Sequence, residues 1–185
     1  EVTLLMDWFP QGNQSGYWQA QFDNQYHDDV KITIKSGGPK INTTAAVASG
    51  QAEFGLQASD SVMLANAKGA GLKGIFVSLN HVPYTLVFHP NTGVNSVKDL
   101  DGRPFAVKMG VTYWKWVKHT YQLNAVKEFP LTGDLGLFAR TPQQFQQGYS
   151  LFLPARLAAK GVASEQITIE SLGYRPYSVL FTTDK

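Results

Sequence analysis

The sequence contains no cysteine. That excludes disulfides, thiolate catalysis and cysteine metal sites. It leaves the compartment open, because many exported bacterial proteins also lack cysteine. Charged residues are sparse, at 16%, and the formal net charge is only +2. Lysine and arginine are scattered without a basic stripe, so nucleic acid is excluded as the expected partner. No apolar run approaches the roughly 20 residues needed to span a bilayer. No basic amino-terminal segment precedes an apolar core, so no signal peptide is visible; a processed chain has the same appearance. The four histidines, His27, His81, His89 and His119, have no metal-ligand spacing. Asp28-Asp29 sits beside a strand start and reads as solvated, and no Ser–His–Asp arrangement follows from spacing. Neither internal repeats nor low-complexity segments occur.

What is present is apolar and aromatic. Hydrophobic residues make up 43% of 185, enough for one or two lobes with real cores. Four Trp, eight Tyr and eleven Phe exceed what a core of this size needs and suit a stacking pocket as well.

The first half alternates strands and helices. Glu1–Trp8 reads as a strand, broken by the Pro and Gly of FPQGNQSG. Tyr17, Trp18, Phe22 and Tyr26 follow at mostly helical spacing. Val30, Ile32 and Ile34 alternate as a second strand. Asn42 caps a helix that Gly50 ends, and AEFGLQ is a third strand. Ser59 or Asp60 caps the next helix, closed by Gly69, and LKGIFVSL is a fourth strand. The order βαβαβαβ predicts a mostly parallel sheet with helices on its faces. Ligands bind beyond the carboxyl ends of such strands, which marks the loops at Trp8–Gly16, Ser36–Pro39 and Gln57–Ser61.

A second βα set covers roughly residues 90–172. Ser96 and Asp99 have capping-box spacing, before a turn at Asp101-Gly102. GVTYWKWVKHTYQL reads as a helix with Tyr113, Trp116, Val117 and Tyr121 on one face. TPQQFQQ reads as a helix start, with Thr141 as cap, Pro142 first and Gln144 completing the box. YSLFL, PARLAAKG and ITIESL follow as strand, helix and strand. Tyr84–Pro90 and Tyr177–Thr183 bracket this set as two crossing segments. The expectation is a two-lobed α/β protein, each lobe a mostly parallel sheet flanked by helices. The first lobe is residues 1–86 and 176–185, and the inserted second lobe is 87–175. The double crossing implies a cleft and a hinge.

Seven stretches in order carry a resemblance across essentially the whole chain: LLMDWFPQGNQSGYWQAQ, KSGGP, VASGQAEFGLQASDSVMLANAKG, VKDLDGRPFAV, GVTYWKW, QQGYSLFLP and GYRPYSVLFTT. The chain resembles the NMT1/THI5-like substrate-binding proteins of ABC importers, which include binders of thiamine pyrimidine precursors. The resemblance implies a type II periplasmic-binding-protein fold closing on a small ligand. It places DWFP with Asn13 and Tyr17 on the first-lobe side, beside Gly37-Gly38 and Ser59-Asp60. It places VTYWKW on the second-lobe side.

The resulting ligand-binding set is Trp8, Phe9, Asn13, Tyr17, Gly38, Ser59, Asp60, Tyr84, Tyr113 and Trp114. Asn13 and Ser15 also suit capping of the first helix, and Gly37-Gly38 also suits a plain turn. The free N–H groups at the Ser59 helix start suit a polar ligand atom, while Asp60 favours an amine over an anion. Trp116 fits the core stripe with Tyr113, which leaves Trp114 for stacking by geometry. The resemblance does not choose between Tyr113 and Trp114. Leu153 stands where relatives commonly carry an acid, and its carboxylate can pair with ring nitrogen and amine groups.

The leading expectation is an extracytoplasmic solute-binding protein, without catalysis, cofactor or metal. Its ligand is small and pyrimidine-like, aromatic or amine-bearing, and its partners are ABC transporter membrane subunits. The expected location is periplasmic or extracellular, with or without a membrane anchor. Relatives continue beyond the LFTT strand with helices that complete the first lobe, so the expectation is either a fragment or a reduced first lobe with a partner covering its exposed face. A ligand-sensing or interaction module of a larger receptor is the alternative. An enzyme is the third reading, because the fungal branch resembles a suicidal synthase with a cysteine-rich motif that this chain lacks.

Overall fold

The computed structural model describes residues 1–26 and 30–184, so His27, Asp28-Asp29 and Lys185 lie outside the described residues. The chain divides into two compact units, Glu1–Val82 with Pro176–Lys185, and Pro83–Arg175. The divides fall at Val82–Pro83 and Arg175–Pro176, against 86/87 and 175/176 expected from the pattern.

The first unit holds strands β1 (Val2–Leu5), β2 (Ile32–Lys35), β3 (Phe54–Ala58) and β4 (Lys73–Leu79), with helices α1 (Ser15–Phe22), α2 (Thr43–Ala48) and α3 (Ser59–Asn66). The last strand of the chain, Ser178–Thr182, returns to this unit and is numbered β10. The sheet order is β2-β1-β3-β10-β4. β1 is parallel to β2 and β3, whereas β10 runs antiparallel to both β3 and β4. The sheet is therefore mixed rather than mostly parallel, because the returning strand inserts between β3 and β4.

Two layers cover this sheet. Val47 of α2 and Val62 of α3 pack with Leu5, Val179 and Phe181 on one face. Tyr17 and Trp18 of α1 pack with Leu4, Met6, Ile34 and Leu56 on the other. Phe22 is 85% exposed and adds nothing to that layer, despite its helical spacing. Asn42 caps α2 as its identity requires, its side chain accepting from the Ala45 amide at 3.1 Å.

The second unit has β5 (Tyr84–Phe88), β6 (Pro104–Val107), β7 (Lys127–Pro130), β8 (Phe145–Tyr149) and β9 (Glu165–Thr168). Its helices are α4 (Thr112–Tyr121), α5 (Leu135–Arg140) and α6 (Leu153–Ala158). The order is β7-β6-β8-β5-β9. β6 is parallel to β7 and β8, and β5 is antiparallel to β8 and β9, so this sheet is mixed too.

The helix expected at TPQQFQQ does not form. The helix precedes it, as α5, capped by Asp134 accepting from the Gly136 amide at 2.8 Å. Thr141 closes α5 through its own N–H, which donates to Phe138 O at 3.0 Å. Pro142 thus follows a helix end, a position that favours it as strongly as a helix start. Gln144 N donates to Thr141 O at 2.9 Å in a turn, and the chain enters β8 at Phe145. The strand expected at YSLFL is accordingly FQQGY, with Phe145 stacked on Phe105 in the core at 4.1 Å.

The Ser96–Asp99 capping box is present at a 3-10 turn, Val97–Leu100. The Asp99 carboxylate accepts from the Asn95 and Ser96 amides at 3.0 and 2.8 Å. These donors, Asn95 first, hold its pKa below the ordinary value. A depressed folded pKa means the stabilisation is present above the unfolded pKa and is lost as pH falls through the folded one. The stability gap between wild type and Asp99→Asn is therefore expected to shrink in acid, as read by unfolding midpoints between pH 7 and pH 2.

Candidate functional site

At the carboxyl edge of the first sheet, the chain leaves β1 into Asp7–Pro10. Asp7 is buried, at 8% exposure, and Gln14 donates its side-chain amide to Asp7 Oδ1 at 2.7 Å. Gln14 is itself fully buried, at 0%. Its Oε1, and Oδ1 of neighbouring Asn13, are buried without a hydrogen-bond partner among the described residues. Two buried acceptors therefore stand unfilled on adjacent residues, one of them on the side chain that reaches Asp7. An unmet buried polar group costs about 1–3 kcal/mol, so this cluster calls for a donor.

Trp8 and Phe9 lie on the same loop, their rings 5.7 Å apart and edge to face. Phe9 is 46% exposed, while Trp8 is half-buried. Gly37 and Gly38 follow β2 and are both buried. The Gly37 amide donates to Trp8 O at 3.1 Å, pinning the two loops together. A Cβ on Gly37 would lie 2.1 Å from Met6 O, so only glycine permits this approach. A Cβ on Gly38 would meet the Phe9 ring at 3.2 Å. Phe9 thus sits over Gly38. Tyr17 is half-buried, packed toward the sheet, with an unpartnered buried hydroxyl.

Ser59 and Asp60 do not cap α3. The cap residue is Ala58, in extended conformation, and makes no side-chain cap bond. Ser59 and Asp60 already belong to the first turn. The Ser59 amide donates to Tyr177 O at 2.8 Å, which supplies from β10's approach what a cap would have supplied. Asp60 Oδ1 accepts from the next amide, Ser61, at 2.7 Å. Ser59 is buried and Asp60 half-buried. An acid in the first turn suits a helix amino end and opposes an anionic ligand there.

In the second unit, Tyr84 opens β5 and stacks on Tyr113 of α4, with centroids 4.5 Å apart at 27°. Tyr149, at the end of β8, meets Tyr84 edge to face at 5.5 Å. Lys108 follows β6, and its amide donates to the buried Gln147 side chain at 2.8 Å. Tyr149 and Gln147 are absent from the expected set. Assigning their segment to the wrong elements hid them.

Trp114 is not a stacking platform. It is 2% exposed and packs against Phe105 at 4.4 Å and Phe145 at 5.9 Å, inside the core. Trp116, expected in the core, is half-buried and tilts over Tyr174 at 5.0 Å. Leu153 is also a core residue, packed with Val87, Leu135, Phe138 and Leu157. Among the described residues no group of three or more metal-ligating side chains converges, and no helix is long and apolar enough to cross a membrane.

Both sheets, with strands ending in loops of aromatic and amide side chains, define the class. The fold is that of the type II periplasmic binding proteins. The chain is similar to the alkanesulfonate-binding protein SsuA of Xanthomonas axonopodis bound to MOPS, with a TM-score of 0.72 at 16% identity, covering 100% of this chain and 66% of that one. It is also similar to the periplasmic aliphatic sulphonate binding protein SsuA of Escherichia coli, with a TM-score of 0.68 at 13% identity, covering 98% and 60%. Residues 13–125 match the family described as NMT1/THI5 like, and the chain belongs to that family. A curated relative, the 4-amino-5-hydroxymethyl-2-methylpyrimidine phosphate synthase of Legionella pneumophila, is 29% identical over 103 residues. That match covers 55% of this chain and spans only 33% of the synthase.

Proposed function

We propose that this protein is an extracytoplasmic solute-binding protein of an ABC importer, and that its ligand is a small aromatic bearing an amine. The observation that carries the reading is the acceptor cluster at the end of β1. Asn13 Oδ1 and Gln14 Oε1 are two unfilled amide oxygens, which an amine can satisfy. Phe9 and Trp8 supply apolar surface on the same loop. Gly38, Tyr17, Ser59 and Asp60 complete the proposed contacts. Tyr84, Tyr113 and Trp114 drop out because all three are core side chains, at 8%, 1% and 2% exposure. Binding without turnover is part of this reading, although the curated relative is a synthase. The exposed β4 edge, with Ile75 and Phe76 at 52% and 60%, supports the further expectation of a covering partner for the first unit.

A thermal-shift panel of aminopyrimidines, simple amines and alkanesulfonates tests this. A ligand at 100 times its dissociation constant stabilises by about 2.7 kcal/mol. That is a rise of roughly 5–10 °C for a chain of this size. Aminopyrimidines are expected to reach it and sulfonates to leave the midpoint unchanged, because Asp7 and Asp60 oppose an anion. A shift with sulfonates alone would overturn the ligand class. Silence across the panel in folded protein would overturn the binding function.

A further inference from the structure

The second unit carries another concavity, away from the aromatic residues just described. It lies between the carboxyl half of α4 and β7, with a volume of about 400 Å³. That is within the range of small-molecule sites. Its chemistry follows from helical spacing. Lys115, Lys118 and His119 fall at i, i+3 and i+4 and line one side of the groove. No acidic residue occurs anywhere in α4. Leu123 and Val126 give the groove an apolar floor, and Asn124 adds an amide.

The position of that floor is built, not accidental. Gln122 adopts the left-handed conformation, with φ 57°, and ends α4. The Leu123 amide then donates to Lys118 O at 3.0 Å, folding the chain back under the helix. Leu123 is buried at 3% exposure, which fixes Asn124 at the rim. Across the groove, Glu128 of β7 pairs with Lys118. β7 is an edge strand, so nothing in its own sheet covers that side.

The charges do not balance. Glu128 neutralises Lys118, whereas Lys115 has no ion-pair partner among the described residues. Lys115 and His119 are both exposed at the groove, and between residues 83 and 175 basic residues outnumber acidic ones. We propose that this groove binds a small organic oxyanion, a carboxylate or phosphate group carried on a compact apolar body. Lys115 and His119 would hold the anionic oxygens, Asn124 Nδ2 would add a hydrogen bond through the proton it does not give to Gln122 O at 3.0 Å, and Leu123 with Val126 would take the apolar part. The Lys118–Glu128 pair would position the helix against β7. This site shares no residue with the acceptor cluster and selects the opposite charge.

The test is amide chemical-shift mapping by NMR, titrating benzoate or phenyl phosphate against sodium chloride of matched ionic strength. Saturable shifts at Lys115, Lys118, His119 and Asn124 are expected with at least one probe. Lys115→Gln should weaken that probe about tenfold, Lys115→Arg should retain it, and Lys68→Gln in the first unit should change nothing. Shifts that stay linear with both probes, that match sodium chloride, or that survive Lys115→Gln unaltered would overturn the proposal. Amine binding at the other site is unaffected by either result.

Discussion

Gly37→Ala lowers the stability of the first unit by about 3 kcal/mol, at the upper end of ordinary overpacking costs. The added methyl would sit 2.1 Å from Met6 O, 2.6 Å from the Asp7 carbonyl carbon and 2.7 Å from the Trp8 nitrogen. All three obstacles are backbone, held in the sheet by the Met6 amide donating to Lys35 O at 2.9 Å and by the Gly37–Trp8 bond. No rotamer change relieves them, so the ends of β1 and β2 must part. The expected drop in the unfolding midpoint is roughly 6–12 °C at 2–4 °C per kcal/mol. Gly38→Ala is the matched control. Its methyl would meet only the Phe9 ring, at 3.2 and 3.3 Å, and that ring is half exposed and free to swing. Stability should then fall by less than about 1 kcal/mol. Amine affinity should fall as well, because Phe9 moves. Equal losses of stability in the two variants would contradict the close backbone approach.

The second large effect concerns Leu153, where relatives commonly carry an acid. Leu153→Glu is expected to destabilise the second unit by about 3–5 kcal/mol, measured by urea denaturation. The side chain is 7% exposed and surrounded by Val87, Leu135, Phe138 and Leu157. It also fills the space over Gly148, where a Cβ would lie 2.3 Å from Leu153 Cδ2. The apolar side chains that surround it offer a carboxylate no donor. Leu153→Met, which conserves volume, should cost less than about 1.5 kcal/mol. The acid should therefore not restore ligand contacts. A stable Leu153→Glu protein with tighter amine binding would show that this side chain faces the ligand.

The elements of the first unit were legible because its short strands alternate and its turns carry glycine or asparagine. Ile32 and Ile34, Asn42 and Gly50 each mark what they form. The mixed pairing was not legible. β10 looks like any apolar strand, and only the tertiary fold inserts it between β3 and β4. In β8 the glutamines of FQQGY resemble a polar helix face, yet Gln146 and Gln147 are buried in a central strand. On α4, Tyr113 and Val117 belong to two possible apolar stripes, one extended by Trp114 and one by Trp116. Phe105 and Phe145 decide for Trp114, and neither is near it in sequence. Of the proposed site, the Pro-Gly break in the sequence marks the loop that carries Trp8 and Phe9 after β1. The Asp7–Gln14 bond was not, because it depends on how the 3-10 turn at Gly12–Gln14 turns the chain back.

The central claim, binding of an amine-bearing aromatic without turnover, is tested most directly by equilibrium dialysis with an aminopyrimidine, followed by mass analysis of the released compound. The expected result is saturable one-to-one binding in the micromolar range, about −8 kcal/mol, with the ligand recovered unchanged. Recovery of a compound of altered mass, or no retention by folded protein, would contradict it.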